Sequence, residues 1–220
     1  MTQEKTTRWF WVRHAPVPSG GRIYGQRDLP CDVSERAVFA ALAAYLPKGA
    51  VWVTSNLRRT SETAQAIIDA GLPAPDGYEP VADFAEQNLG DWQGMDRAAF
   101  FASRKQTEHP LWFAAACERA PHGESFDDLL ARTRRAVADL NARHAGRDII
   151  AVTHGGTIRA ALSIALTLDP DAAMAFLVDN CSVTRLTHMG RGEARFGWRV
   201  EGVNEQPWIA HRTQPPGGLA

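Results

Sequence analysis

The sequence lacks three features that would place the chain in a specialised class of protein. It has only three cysteines, Cys31, Cys117 and Cys181, and their wide, irregular spacing indicates neither a disulfide framework nor a zinc site. It has no run of roughly 18 apolar residues, as a membrane span needs, and its first residues do not resemble a signal peptide. Its net charge of -1 gives no excess positive charge for nucleic acid or an anionic membrane. We therefore expect a cytoplasmic protein that binds neither.

The pattern of apolar residues predicts an α/β fold. With 45% hydrophobic and 22% charged residues, the composition is that of an ordinary globular protein. Short apolar runs at 8–12, 50–54 and 148–153 are typical of strands buried on both faces, and the alternating segments 182–189 and 195–203 of strands nearer a sheet edge. Helical patterns separate these runs. The alternation predicts a three-layer α/β/α sandwich with a mostly parallel open sheet and helices on both faces.

Two helix starts can be predicted from single residues. Asp32, with Glu35 three positions later, forms the pattern of a capping box for a helix that ends near residue 46. Ser55 is the expected N-cap of the next helix, and Gly71 is its expected C-terminal stop. Both helices are predicted to pack on the sheet through their apolar faces.

The segment 94–122 departs from the alternation of strands and helices. It is helical in tendency, rich in aromatic residues and without a strand pattern, so we interpret it as a small helical cap insertion over one edge of the sheet. After it, Glu124 and Ser125 are expected to cap and orient a long amphipathic helix. No linker interrupts the chain, so we expect a single domain over residues 1–220.

Polar residues collect where the predicted strands end. Arg13 and His14 follow the first strand, and a second histidine, His154, follows the third. The helix after the second strand carries Arg59 in its first turn, and a loop rich in turn residues contains Glu86. Because ligands bind at the carboxyl ends of strands in open α/β sheets, we expect these side chains to form one site.

Together these residue types suit phosphoryl transfer. Two arginines can bind an anion, and the glycines at 155 and 156 leave backbone N–H groups available at a helix start. A neutral histidine is a nucleophile, and a carboxyl group such as that of Glu86 can protonate a leaving oxygen. The set therefore predicts chemistry through a covalent phosphohistidine.

Five short motifs occur in a fixed order along the chain. They are RHA at 13–15, SNLRRTSETA at 55–64, EQNLGDWQG at 86–94, HGES at 122–125 and VTHGG at 152–156. Together they resemble the signature motifs of the histidine phosphatase superfamily, also called the phosphoglycerate mutase-like family. The resemblance covers nearly the whole chain, from about residue 9 to about residue 209.

The resemblance implies a role for each matched residue. His14 would be the nucleophile that becomes phosphorylated. Glu86 would protonate the leaving group and then act as the base that activates water. Arg13, Arg59 and His154 would bind the phosphoryl group and stabilise its developing charge.

Further residues would complete the site that the resemblance implies. Gly155 would add a backbone donor, while Tyr24 and Gly25 would lie at the rim of the pocket with Gln26 as another substrate contact. Arg58, beside the matched arginine, would be a solvated helix residue. No metal ion or other cofactor is expected, because the arginines would neutralise the charge of the phosphoryl group.

Two departures from the family pattern follow His14. Ala15 replaces the usual glycine, so the turn must avoid backbone conformations that only glycine tolerates. The loop APVPSGG at 15–21 lacks the Glu-Ser or Glu-Thr and the asparagine that are common after the signature, and Gly20 falls near the asparagine position. Gln26 or a backbone N–H would then replace one phosphate contact. We expect this loop to select the substrate.

The function that we expect is a phosphomonoesterase that hydrolyses a small phosphorylated metabolite. Two alternatives share the chemistry: a phosphoglycerate mutase-type phosphotransferase, and an α-ribazole phosphatase-like enzyme of cobalamin assembly, which the stretch YGQRDLP at 24–30 resembles. A metallohydrolase is a different class, disfavoured because the two arginines would repel a dication. A non-catalytic phosphate-binding protein is another. The oligomeric state is left open, a homodimer included.

Overall fold

A computed structural model describes residues 5–104, 114–190 and 197–209. Within those ranges the chain forms one six-stranded sheet and six α-helices. The strands are β1 (Thr7–Arg13), β2 (Val51–Thr54), β3 (Glu79–Pro80), β4 (Asp148–Thr153), β5 (Val183–His188) and β6 (Trp198–Glu205). The helices are α1 (Arg36–Tyr45), α2 (Arg58–Asp69), α3 (Arg97–Ser103), α4 (Phe126–Arg143), α5 (Gly155–Leu166) and α6 (Pro170–Ala173).

The sheet is mostly parallel, as predicted. Its strand order is β3-β2-β4-β1-β5-β6. The pairs β2–β3, β2–β4 and β1–β4 are parallel, whereas β1–β5 and β5–β6 are antiparallel. All five strands predicted from the sequence are present. The additional strand β3 has only two residues, too few for an apolar pattern to reveal it.

The three-layer arrangement follows from the two-residue period of β1. Trp9 and Trp11, both fully buried, contact the cluster that contains α4 and α5, and their rings stack at a centroid distance of 4.8 Å. Phe10 and Val12 point to the opposite face, where they join the cluster that contains α1 and α2. Because successive side chains of a strand point to opposite faces, this one strand forms part of both cores.

Both residue-level predictions of helix starts are wrong. The Asp32 Oδ1 atom accepts a hydrogen bond from the Ser34 N–H at 2.9 Å, a local turn that competes with capping, and α1 begins later, without a side-chain cap. The N-cap of α2 is Leu57, and Ser55 lies two residues before it. The capping of α4 is confirmed, because Ser125 forms a reciprocal capping box with Asp128.

The predicted cap insertion contains one helix in the described residues, α3. Its Phe100 packs with Ile23, Leu89 and Trp92 in a small cluster separate from the two main cores. Residues 114–122 form turns and no helix, and residues 105–113 lie outside the described ranges. In its described residues the cap therefore has less helix than the sequence predicts.

Neither a membrane helix nor a disulfide is found in the described part of the chain. None of its helices combines the length and the apolar character that crossing a bilayer requires. All three cysteines lie in that part and are free. Burial raises the pKa of Cys31 to about 11 and that of Cys181 to about 12, so both thiols stay protonated at neutral pH.

Candidate active site

Two histidines lie side by side because the strands that precede them are neighbours. β1 and β4 pair in parallel with Arg13 opposite Thr153, and the His14 N–H donates to the Thr153 carbonyl oxygen at 2.8 Å. β2 pairs with the other edge of β4, which brings Ser55 to the same end of the sheet. The ring centroids of His14 and His154 are 5.1 Å apart.

His14 has the protonation state of a nucleophile. Its Nδ1 lies 2.7 Å from the Ala15 carbonyl oxygen, which can only accept, so Nδ1 carries the proton and Nε2 keeps its lone pair. The residue is fully buried, and Nε2 has no hydrogen-bond partner among the described residues. Burial, then Arg59 and Arg13, lower its pKa well below the usual 6.5, so the ring is neutral at physiological pH.

Arg59 links the second histidine to the loop that follows β1. Its Nη2 and Nη1 atoms donate to the carbonyl oxygens of Gly25 at 2.7 Å and Arg27 at 3.0 Å, and its Nε donates to His154 Nδ1 at 3.3 Å. The Nε2 of His154 lies 2.7 Å from the Ser55 hydroxyl. Burial, followed by the positive charge of Arg59, holds the pKa of His154 well below 6.5. Arg59 is completely buried, and these bonds hold its guanidinium group in place.

Two further guanidinium groups meet above the start of α5. Arg13 Nη1 donates to the Val178 carbonyl oxygen at 2.6 Å, and Arg159 Nε donates to that of Phe176 at 3.0 Å. A Cβ atom on Gly155 would lie 3.4 Å from Arg159 Nη1 and 3.5 Å from Arg13 Nε. Burial lowers the pKa of Arg159. The Glu86 carboxylate raises this pKa, and the positive charge of Arg13 lowers it. An anion between the guanidinium groups would relieve their repulsion.

Glu86 faces the same helix start. Its carboxylate accepts the Gln87 N–H at 3.0 Å and the Gly156 N–H at 3.3 Å. A Cβ atom on Gly156 would collide with Glu86 Oε1, so this glycine is what lets the carboxylate approach the helix. The carboxyl group is thereby brought to the strand ends that carry the two histidines.

Tyr24 and Gly25, predicted at the pocket rim, and Gln26, predicted as a substrate contact, differ in their surroundings. The Tyr24 ring lies 6.3 Å from the His14 ring and 5.1 Å from the Arg59 guanidinium carbon. Gly25 has a positive φ of 46°, and its carbonyl oxygen binds Arg59. The side-chain amide of Gln26 donates to the Glu86 carbonyl oxygen at 2.9 Å, so it has an acceptor other than phosphate.

A cavity of about 200 Å³ adjoins these groups. The predicted site residues that line it are Arg13, Tyr24, Gly25, Glu86 and Gly155. His14, Arg59 and His154 are completely buried. The loop at 15–21, where we expect substrate selection, contributes nothing to the lining. Ala15 itself has no positive φ, so the turn tolerates a residue other than glycine.

The sequence analysis did not single out several residues that hold this site. The Asn180 side chain donates to the His14 carbonyl oxygen at 2.7 Å, and Arg97 and Arg159 line the cavity. Arg159 lies one helical turn after Gly155, and this spacing could have identified it from the sequence. No sequence signal points to Asn180. In the described residues, no three His, Cys, Asp or Glu side chains are grouped so as to hold a metal ion, and the metallohydrolase alternative has no ligand set there.

Buried histidines with lowered pKa and nearby arginines thus lie together at the carboxyl edge of the parallel strands of an α/β sheet, an arrangement that can bind an anion. The chain matches the family model of the histidine phosphatase superfamily (branch 1) over residues 9–204. It therefore belongs to this family. Membership supports phosphatase or phosphotransferase chemistry and leaves the substrate open.

Relatives in the family carry both kinds of activity in their names. The chain is 34% identical over 225 residues to a glucosyl-3-phosphoglycerate phosphatase of Mycobacterium tuberculosis, covering 94% of this chain and 98% of the relative. It is 28% identical over 212 residues to a probable phosphoglycerate mutase of Yersinia enterocolitica, covering 94% and 95%. A solved structure of mycobacterial glucosyl-3-phosphoglycerate phosphatase superposes with a TM-score of 0.76 at 28% identity, covering 91% of this chain and 100% of that one.

Proposed function

We propose that this protein is a metal-independent phosphomonoesterase that uses His14 as its nucleophile. The observation that carries the proposal is the state of His14: a buried, neutral ring whose Nε2 lone pair has no partner among the described residues. Arg13 and Arg59 carry positive charge close to its ring, and in this proposal they bind the phosphoryl dianion together with His154, whose Nε2–H leaves the Ser55 hydroxyl to do so. Glu86 is the nearby carboxyl group, and in this proposal it exchanges a proton with the leaving oxygen and with water.

The reaction has two balanced steps. In the first, the Nε2 lone pair of His14 attacks phosphorus, the ester P–O bond breaks, and Glu86 gives its proton to the departing oxygen. In the second, the Glu86 carboxylate removes a proton from water, the resulting oxygen attacks phosphorus, and the N–P bond breaks. Inorganic phosphate leaves and both residues return to their starting states.

Substitution of the nucleophile tests this proposal. A panel of phosphorylated metabolites and an aryl phosphate should be hydrolysed in the presence of chelator, and His14→Ala should lower kcat/KM by about 10⁴-fold or more. His122→Asn is the matched control, because His122 is an exposed histidine with a positive φ that asparagine tolerates. Hydrolysis by His14→Ala at the wild-type rate would contradict the mechanism. Phosphate binding without turnover in the wild type would favour the non-catalytic alternative.

The substrate that we propose is a small phosphate ester with a second anionic group, such as a carboxylate. Arg13, Arg97 and Arg159 line the cavity, and Glu86 is the one acidic residue among its described lining residues. The exposed Arg97 side chain makes no ion pair or hydrogen bond with the described part of the chain. The names of both relatives specify a phosphoglycerate, which carries a carboxylate.

Paired substrates test this substrate class. A phosphoglycerate should have a lower KM than glycerol phosphate, and Arg97→Gln should raise the KM of the phosphoglycerate alone, by about tenfold. An equal effect on both esters would contradict a second anion site. The products separate the alternatives, since a mutase would yield an isomeric phosphoglycerate in place of inorganic phosphate. Preferred hydrolysis of α-ribazole phosphate would support the cobalamin alternative.

A cytoplasmic location is part of the proposal. Three free cysteines, two of them buried or half-buried, suit a reducing compartment. The partner is the small-molecule ester itself, with no nucleic acid or membrane involved. Fractionation of cells that produce a tagged form of the protein tests the location, and recovery with membranes or outside the cell would contradict it.

A further inference from the structure

The segment that carries Glu86 is held by side chains from outside it. Residues 85–89 form neither a strand nor a helix. The Thr157 hydroxyl on α5 lies 3.1 Å from the Phe84 carbonyl oxygen and 3.2 Å from that of Ala85. Arg132 on α4 binds the residue before and the residue after these two. Its Nη1 donates to the Asp83 carbonyl oxygen at 2.7 Å, and its Nη2 donates to the Glu86 carbonyl oxygen at 3.0 Å.

Glu124 fixes the orientation of this arginine. Arg132 Nη2 and Nε donate to the two carboxylate oxygens of Glu124 at 2.7 and 3.1 Å. The same carboxylate accepts the Asn88 N–H at 2.8 Å. The side chains of Arg132 and Glu124 are only 11% and 16% exposed, so this two-pronged pair is largely removed from water. The pair thus binds the backbone on both sides of Glu86.

We propose that Arg132, oriented by Glu124, is a positioning residue that places the Glu86 carboxyl group for proton transfer to the leaving alcohol. The inference rests on the proposed function, in which Glu86 is the acid. Arg132 contacts the backbone of Glu86 and none of the reacting atoms, so it acts through geometry. A general acid must lie within hydrogen-bond reach of the atom it protonates, and a displacement of about 1 Å reduces catalysis strongly.

The chain offers a matched control on the same helix. Arg135 lies one turn after Arg132 and approaches the side chain of the same residue, Asp83, at 3.7 Å. Its side chain is 69% exposed, and that of Asp83 is 41% exposed. A surface pair of this kind contributes little to stability, and it holds no backbone carbonyl of the Glu86 segment. A substitution of Arg135 therefore measures the effect of losing a nearby guanidinium group without losing the contacts to the backbone of the Glu86 segment.

The dependence on the leaving group separates positioning of the acid from general damage. The experiment measures kcat/KM for glycerol phosphate, whose alkoxide must be protonated as it leaves, and for 4-nitrophenyl phosphate, whose phenolate leaves without a proton. Because kcat/KM covers the steps up to loss of the leaving group, both values report on phosphorylation of His14. Arg132→Lys keeps a positive charge for Glu124 but cannot bind two carbonyl oxygens and a carboxylate together.

We expect Arg132→Lys to lower kcat/KM for glycerol phosphate about tenfold more than for 4-nitrophenyl phosphate. Arg135→Lys should leave both values within about twofold. In a Glu86→Gln background, adding Arg132→Lys should no longer change the ratio of the two values, because the acid that it positions is absent. Equal losses on both esters, no loss, or a changed ratio in the Glu86→Gln background would each overturn the assignment.

A second variant covers loss of folding. If thermal unfolding shows that Arg132→Lys is not folded at the assay temperature, Glu124→Gln takes its place. This substitution keeps the shape of the side chain but weakens its hydrogen bonds with Arg132. The same selective loss is expected, several-fold in size, and equal losses would overturn the proposal. A wild-type protein that hydrolyses neither these two esters nor any member of the metabolite panel would overturn the proposed function, and this inference with it, which is a different outcome from a failure of the variants.

Discussion

His14 and His154 follow directly from two paired strands, whereas Glu86 lies on a segment that belongs to no strand or helix. In the first region the sheet itself sets the geometry, because the strand register fixes where each backbone ends. In the second region, single side chains such as Arg132 and Gln26 hold backbone carbonyl oxygens. One site is therefore built by two different means.

The difference between the two regions has a chemical counterpart. In the proposed mechanism, the strand-end region supplies the nucleophile and the anion ligands, which must stay in place throughout the reaction. The Glu86 segment supplies, in the same proposal, a group that gives up a proton and takes one back. We expect substitutions in the first region to abolish phosphoryl transfer, and substitutions around the second to weaken the proton transfers selectively.

After the loss expected for His14→Ala, the largest effect should come from Arg59 in the strand-end region. Arg59→Lys should lower kcat/KM about 10²-fold or more on every ester, because a lysine cannot bind two carbonyl oxygens and a phosphoryl group at once. Arg58→Lys is the control, since Arg58 forms an exposed i,i+4 pair with Glu62 at 2.7 Å. It should change kcat/KM less than twofold. Similar losses in both variants would show that burial of Arg59 has no catalytic meaning.

A smaller effect should follow when the Glu86 region is disturbed from α5. In Gly156→Ala the new Cβ collides with the Glu86 carboxylate, so we expect kcat/KM for an alkyl phosphate to fall about tenfold to 10²-fold. Neither Gly156 nor its neighbour Gly155 has a positive φ, so the backbone accepts alanine at both positions.

Gly155→Ala serves as its neighbour control. Its Cβ would lie 3.4 Å from Arg159 Nη1, an ordinary contact, so kcat/KM should change only a few-fold. Thermal unfolding should show no loss of stability in this variant, because alanine favours a helix more than glycine does. Equal activity in the two variants would mean that the approach of Glu86 to α5 does not matter.

The smallest expected effect is on stability and involves the two histidines of the strand-end region, to which His144, whose pKa burial also lowers, adds. Burial lowers the pKa of His14 and His154 below the usual 6.5. At a pH between the pKa of the folded state and that of the unfolded state, the unfolded chain therefore binds more protons than the folded chain. The free energy of unfolding should therefore be constant above about pH 7 and fall below pH 6.5, by about 1.4 kcal/mol per pH unit for each histidine. Urea unfolding between pH 7.5 and 5 measures the slope.

Replacement of the two histidines isolates their share of that slope. With His14 and His154 both changed to asparagine, the fall in unfolding free energy below pH 6.5 should become shallower. His122→Asn, at an exposed histidine outside the site, is the control. An unchanged slope in the double variant would contradict the assignment of neutral, buried rings.

Strand positions could be predicted from the sequence better than helix starts. The runs at 8–12 and 148–153 appear as β1 and β4 within two residues, because a strand buried on both faces is apolar throughout. Ser55 has the residue type of an N-cap, yet its hydroxyl lies 2.7 Å from His154. Nothing in a local pattern shows that a partner on another strand competes for a side chain.

Some features of the candidate site could likewise be predicted from the sequence, and others could not. The motif at 55–64 selects Arg59 over Arg58, and the structure places the first in the interior and the second at the surface. Gln26 was predicted as a substrate contact, but its amide binds the Glu86 carbonyl oxygen, and its role in binding stays a prediction. Residues that act on a backbone, such as Asn180, leave no trace in a motif.

By itself the sequence determined that Arg13, His14 and His154 stand at strand ends, and it selected the residues that we propose for the chemistry, because apolar runs and short motifs are local properties of a chain. Only the tertiary structure decided how Glu86 is held against α5, which arginines line the cavity, and that His14 is neutral with Nε2 free. Those features depend on distances between segments far apart in the chain and on the water that folding removes from them.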